Sequence, residues 1–517
     1  MSPEELQESS RPQTAKSAAT SSTHVSSLKG CPDPTDPASE RPTLTAEKLV
    51  EIQKIDDEEW ENDPANARNW SFGRKWTAVS VVSLYTFIAP LASSMMAPGL
   101  PNVADKYHIT SNTTIAMTLC IFLLSFALAP LVLAPLSEMY GRKWVLHIGN
   151  IFTLAFSLGC GFSPTTSALI GFRFLSGLSA SAPIACGGGS ISDLFHERDR
   201  ASAMAVFSLG PLVGPAVGPI AGGFIAQTIG IKWVFIVIAV ICGFAAVFGI
   251  ALLRETYAPV IRKRKLQKET NDPEKAILLE KMLENQRSKL YILGVNLIRP
   301  MVILFRSLVC FILSLYMAFM YGIYYLMFAT FASFFHDTYG FQAGVGGLAY
   351  LGLGLGFLIA TFLGAKFADQ VYLYLADKNG GVGKPEMRIP ALFFGSFFVP
   401  IGLFWYGWSA QAKLHWMMPI VGTGFFGFGI LPIQLYLVDA FVYAASALAA
   451  ASASLQVFRS LLGFAFPLFG QQMFDAMGLG GGNSLLGGLA IVLGIPFPVW
   501  LYYKGEQIRA RNPLTRR

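Results

Sequence analysis

Charge is scarce in this chain. Of its 517 residues only 14% are Asp, Glu, Lys or Arg, while 53% are hydrophobic. A soluble domain carries about 25% charged residues, and a water-facing surface of this composition would be one large apolar patch. An ordinary soluble protein is therefore excluded. No CxxC pair occurs, and five of the six cysteines (Cys120, Cys160, Cys186, Cys242 and Cys310) fall inside apolar runs, so neither a disulfide framework nor a zinc site is implied. The six histidines have no metal spacing; His147 and His336 fall at expected helix ends. No Walker A loop, haem pair or nucleophile motif is present. The chain reads as a non-enzyme that needs no cofactor and no metal. An N-terminal apolar stretch is also missing, so no cleaved signal peptide is expected and the first membrane helix would act as the signal.

What the chain has in abundance is long apolar runs, and about 20 such residues span the hydrocarbon layer. Runs near 76–97, 114–136, 144–163, 166–190, 202–226 and 231–253 are followed by a charged segment, then by runs near 302–333, 342–365, 390–409, 415–441, 444–473 and 484–503. The fold class expected is an all-α membrane protein of about twelve transmembrane helices in two six-helix halves. The organisation is a disordered tail 1–74 rich in Ser, Thr and Pro, halves 75–253 and 301–503, a central loop 254–300, and a tail 504–517. A short amphipathic helix within the first tail, Thr45 to Trp60, would put Leu49, Ile52 and Ile55 near one face.

The net charge of +7 does not point to nucleic acid, because its placement follows membrane topology. Arg142, Lys143, Arg198, Arg200, Lys378, Lys384, Arg388, the basic central segment and the C-terminal tail fall on one side; Lys106, Lys232 and Lys413 fall on the other. Positive charge marks the cytoplasmic side, so both termini are expected inside. Asn112-Thr113-Thr114 then lies in an outer loop and Asn112 is a glycosylation candidate. The repeat of six helices, a basic loop and six helices suggests two related halves with the substrate between them.

Three motifs carry the functional reading. Leu136, Glu138, Gly141, Arg142 and Lys143 lie after the second run, and Asp369 stands at the matching place after the eighth. Acids and cations at helix ends could pair across the halves in one state and release in the other, a conformational latch; an ordinary basic loop is the plainer reading. Arg173 lies inside the fourth run, where a charge needs a cavity, a partner, or a snorkelling route to the interface. Gly214, Gly218 and Gly222 stack at four-residue steps in the fifth run, with Pro219 and Gly223 beside them, a face that permits very close helix approach.

These motifs resemble signatures of the major facilitator superfamily. The segment Ala134 to Leu146 is similar to its loop 2–3 pattern, with Ala134 for Gly and Glu138 for Asp. Leu169-x-x-x-Arg173-x-x-x-Gly177 resembles the helix 4 pattern, in which the Arg is linked to proton coupling. Gly214-x-x-x-Gly218-Pro219-x-x-Gly222-Gly223 resembles the signature of proton-driven antiporters. Asp63-Pro64, Asn69-Trp70, Asp193-Leu194-Phe195, Glu255-Thr256-Tyr257, Arg299-Pro300 and Phe466-Pro467-Leu468-Phe469 resemble the fungal drug:proton antiporter branch. The resemblance spans roughly residues 60 to 512. It implies a monomeric plasma-membrane exporter, driven by protons, of a small molecule: a drug, or a secondary metabolite such as an organic acid or glycolipid. An uptake permease or a non-transporting membrane sensor are the other readings.

Candidate substrate-cavity residues are Tyr85 in the first run, Phe122 and Phe126 in the second, Tyr316, Tyr321 and Tyr324 in the aromatic seventh, and Gln456 and Arg459 in the eleventh. Each has a packing alternative, and Arg459 could instead pair with Asp439. No intramembrane carboxylate stands out as the proton carrier, since Glu138, Asp369, Asp439 and Asp475 all map near helix ends.

Overall fold

The apolar runs form helices, as their length and their scarcity of interior charge require. In the computed structural model, residues 58–196, 199–268, 308–381, 389–444 and 448–511 are described, with five isolated positions between them. Most of the expected amphipathic helix, most of the central loop, Arg198, Lys384 and Arg388 lie outside those residues.

The first half holds α1 (Phe72–Ser94), α2 (Asn112–Tyr140), α3 (Arg142–Gly161), α4 (Thr166–Leu194), α5 (Arg200–Thr228) and α6 (Ile231–Leu252). The second holds α7 (Leu308–Tyr339), α8 (Ala343–Lys378), α9 (Ile389–Gln411) and α10 (Met417–Ala444). It ends in Leu448–Gly494, which Gly478 divides at φ 72 into α11 (448–477) and α12 (479–494). Pro183 bends α4 after Ser181, and Pro211, Pro215 and Pro219 lie inside α5. Nine stretches among the described residues are long and apolar enough to cross a membrane; α9, α10 and the division at Gly478 bring the described set to about twelve.

The outer face identifies the solvent. Val240, Phe244 and Val247 of α6 are 65%, 59% and 69% exposed, while Ile238, Cys242 and Ala245 on the opposite face are buried. Such an apolar stripe is stable against lipid and not against water. Between the halves, α2 packs against α11 and α5 against α8.

Part of the tail expected to be disordered is ordered. Asn66 donates to the Trp60 carbonyl at 3.1 Å, and Asn69 donates to the carbonyls of Glu61 and Asp63 at 2.6 and 3.0 Å. Asp63 pairs with Lys265, and the Arg262 guanidinium lies 5.3 Å from the Trp60 ring centre. The stretch before α1 is thereby docked on the helix Ala258–Lys268. Burial alone would raise the Asp63 pKa, but the Lys265 ammonium and the Ala65 amide together hold it below the usual carboxylate value.

Candidate functional site

At one end of the first half, the turn between α2 and α3 is built on Gly141. Its φ is 101, and a Cβ there would run into the Glu255 carboxyl group. Glu255 is 8% exposed and caps α3: it accepts from the amides of Arg142 at 2.8 Å and Lys143 at 3.3 Å, and from those of Thr256 and Tyr257. A carboxylate at a helix N-terminus satisfies donors that the helix leaves open. The Arg142 side chain pairs with Asp193 of α4 at 3.4 Å and donates to Ser137 at 2.6 Å, with its guanidinium 4.9 Å from the Tyr257 ring centre. Burial, helped by the nearby Glu138 charge, raises the Tyr257 pKa against the opposing pull of Arg142.

Two expected latch residues stand apart from this cluster. Glu138 and Asp369 are both exposed, and among the described residues neither forms an ion pair. The acids that do engage Arg142 and its helix, Asp193 and Glu255, stand in the sequence within stretches that resemble the fungal antiporter branch, with nothing there to say what they contact. Contact through a turn, not spacing, brings them together.

The glycine face of α5 packs inside the first half, against α1. A Cβ at Gly214 would meet Pro90, one at Gly218 would meet Ser94, and one at Gly222 would meet the Met95 carbonyl. The flanking residues face the other half: a Cβ at Gly223 would meet the Ala343 carbonyl, and Gly347 of α8 lies against the Pro219 carbonyl. The motif is therefore two-sided, holding α1 on one side and the start of α8 on the other.

That second contact belongs to a closed seam between the halves. Gln227 donates to Gln342 at 2.5 Å and accepts from the Gly344 amide at 2.9 Å. Thr113 donates to the Leu468 carbonyl at 3.3 Å and accepts from Gln472 at 3.4 Å. Ser93 and Tyr325 share a hydroxyl pair at 2.7 Å. These hydrogen bonds between the halves cluster at the C-terminal end of α5 and the start of α8, at the start of α2, and at the centre. Asn112, the glycosylation candidate, is exposed at the start of α2 beside this seam.

Arg173 does not snorkel. It is 2% exposed and donates to three carbonyls: Ala92 of α1 at 2.8 Å, and Thr118 and Leu119 of α2 at 3.3 Å each. The Phe122 ring centre lies 4.9 Å from the guanidinium, and Phe122 stacks on Phe126 at 5.1 Å. Arg173 thus ties α4 to α1 and α2 with its charge spread over carbonyl dipoles.

The cavity candidates divide into two groups. Tyr85 bonds His147 of α3 at 3.0 Å beside Gly249 of α6, and Tyr316 bonds Ser396 of α9 at 2.9 Å beside Gly494. Both lie inside their own half, away from the seam, because each hydroxyl finds its partner there. His147, expected at a helix end, is 3% exposed within α3. Tyr321, Tyr324, Gln456 and Arg459 cluster instead near the seam. Tyr321 lies 5.8 Å from Tyr324 and 5.0 Å from Tyr325, ring to ring. Gln456 accepts from Arg459 at 2.5 Å, and the Arg459 guanidinium lies 4.5 Å from the Tyr321 ring centre. The Asp439 side chain lies outside the described residues.

A separate groove of about 910 Å³ runs between α8 and α10, lined by residues such as Leu355, Ile359 and Phe425. Leu355 and Ile359 are about half exposed on the lipid side, so this groove suits acyl chains and is not part of the seam.

Comparison with known proteins agrees with this architecture. The family model for the Major Facilitator Superfamily matches residues 82–467. The efflux pump radE of Floropilus chiversii is 42% identical over 458 residues, covering 87% of this chain and 84% of that one. The MFS-type transporter penM of Penicillium rubens is 42% identical over 472 residues, covering 90% and 91%. Among solved structures, the xylose transporter XylE from E. coli in a partially occluded inward open conformation matches with TM-score 0.61 at 13% identity, over 83% of this chain and 98% of that one. At that identity the likeness speaks for the fold.

Proposed function

The chain belongs to the major facilitator superfamily, and from that premise we propose that it exports a small organic molecule across the plasma membrane in exchange for protons. It is a multi-pass membrane transporter and not an enzyme. The observation that carries the export reading is the two-sided α5 motif, whose antiporter-like glycines set α1 while Pro219 and Gly223 meet α8 at the seam between the halves. A relative named as an efflux pump favours the same direction.

In the cycle we infer, both termini are cytoplasmic and the monomer loads substrate between the halves from the inside. Rocking breaks the outer seam, releases substrate outward, and proton entry resets the carrier. Arg173 participates in coupling through the α1–α2–α4 contact. The cluster of Gly141, Arg142, Lys143, Asp193 and Glu255 keeps the inner ends of the first half together, with Glu138 and Asp369 free to engage when the inner side closes. The substrate is a secondary metabolite or a xenobiotic.

The test is comparative metabolomics of medium and cells, with the gene deleted and overexpressed. A compound lost from the medium and retained in the deletion cells supports dedicated export. New sensitivity to toxic compounds with an unchanged medium supports drug export. Loss of uptake of an external nutrient would overturn the direction.

A further inference from the structure

Two arginines lie inside the membrane helices described above, and their surroundings differ. Arg173 is saturated, with three carbonyls around its guanidinium. Arg459 is not. Its partners are the Gln456 carbonyl oxygen and the Tyr321 ring face, and among the described residues no acid pairs with it. Its Nε is buried with no hydrogen-bond partner, and so is Nε2 of Gln456. Two donors and a positive charge therefore stand together without an acceptor.

Their position is specific. Arg459 lies eleven residues into α11 (448–477), about 16 Å from its start and several turns from its end. It shares a helix face with Gly463, four residues on. Gly463 sits between Tyr321 of α7 and Leu123 of α2, in the seam between the halves. Through Tyr321, Arg459 thus lies beside that seam, about one turn of α7 from the Ser93–Tyr325 pair. An uncompensated charge inside a membrane helix needs a counterion or acceptor.

We infer that Arg459 and Gln456 bind the carboxylate of an organic acid, whose planar or conjugated body lies along Tyr321, and that such acids are the substrate class. A carboxylate has two oxygens: one accepts from the guanidinium and the other from the Gln456 amide, while the stacked ring already orients the arginine fork. The amine, amide or alcohol analogue lacks the charge and leaves the guanidinium uncompensated. This rests on the export reading only for the fate of the bound acid.

The test uses the purified full-length chain in detergent and follows thermal unfolding with 2-naphthoate, its neutral amide 2-naphthamide, and the cation 2-naphthylmethylammonium. Naphthoate is expected to raise the melting temperature and the other two to have little effect. Arg459→Gln should weaken the apparent naphthoate affinity at least tenfold, and Arg459→Lys should retain part of it. Gln456→Glu supplies an internal carboxylate and guards against a misfolded arginine variant: it should raise the melting temperature of the free protein and abolish the naphthoate response. Equal stabilisation by the amide, no response to naphthoate, or a wild-type response in Arg459→Gln or Gln456→Glu would overturn the site. Naphthoate binding with no compound lost from the medium on gene deletion would remove export and keep the site. Wild-type export of a neutral compound by Arg459→Gln would do the reverse.

Discussion

Ser93 of α1 and Tyr325 of α7 meet hydroxyl to hydroxyl at 2.7 Å, across 232 residues of sequence and across the boundary between the halves. Both are buried, so neither hydroxyl has bulk water as a substitute partner. Outward opening must separate them. One such bond contributes about 0.5–1.5 kcal/mol net, enough to bias the state in which the halves meet here without locking it.

Tyr325→Phe keeps the ring contacts and removes the bond. We expect the outward-open population to rise about two- to tenfold, read by spin-label distances between the outer ends of α5 and α8. An unchanged distance distribution would mean that the pair merely accompanies closure.

The α5 glycines should not respond alike to a single methyl group. At Gly218 the added Cβ meets the Ser94 hydroxyl, which can rotate; at Gly222 it meets the Met95 backbone carbonyl, which cannot move without α1. Gly222→Ala should therefore lower the melting temperature and transport more than Gly218→Ala, with overpacking costs of about 1–3 kcal/mol at the tighter site. Gly218→Leu should abolish transport. The comparison is made by thermal unfolding and efflux at matched expression.

Arg173→Ala removes three charge-assisted bonds and should abolish transport while the protein still reaches the membrane. Arg173→Lys, with a compact ammonium in place of the fork, should not restore it. Substrate exchange at equilibrium separates the two roles. If the residue serves proton coupling, exchange survives in these variants while net accumulation fails; if it serves only to hold α1, α2 and α4 together, both are lost.

Glu255→Ala leaves the buried amide of Arg142 without its acceptor and should destabilise the first half by about 1–3 kcal/mol. Glu255→Gln retains a carbonyl oxygen and should lose less. Thermal unfolding compares the two. A silent alanine variant would mean that water replaces the cap.

Docking of the stretch before α1 should depend on pH with a definite sign. Asp63 is held below its ordinary carboxylate value, so its contribution is fully present above the unfolded pKa of about 3.9. It is lost as pH falls through the lower folded value. Protease cleavage near residues 58–71 should stay constant from pH 8 to pH 5 and rise only in stronger acid, and Asp63→Asn should raise cleavage across the neutral range.

Much of the architecture was legible without coordinates, because lipid imposes a simple rule. Backbone polar groups must be satisfied within each apolar run, so run length translates directly into membrane-spanning helices. The α5 stripe was legible for a related reason, since glycines at four-residue spacing mean close approach whatever the partner. The partners themselves were not legible. Glu255 and Asp193 engage the α2–α3 turn from 113 and 51 residues away; the motifs they belong to mark a family but not a contact, while Glu138 lies beside that turn and stays exposed.

Composition and periodicity alone determined that this protein lives in a bilayer as two sets of helices, because those properties follow from local free energies that each segment carries with it. Which polar groups meet was decided only by tertiary structure. Tyr85 and Tyr316 turn into their own halves, Arg173 is enclosed by carbonyls, and Arg459 is left with open donors beside Tyr321. A hydroxyl or guanidinium takes the nearest acceptor in space, and that neighbour is set by how the helices pack.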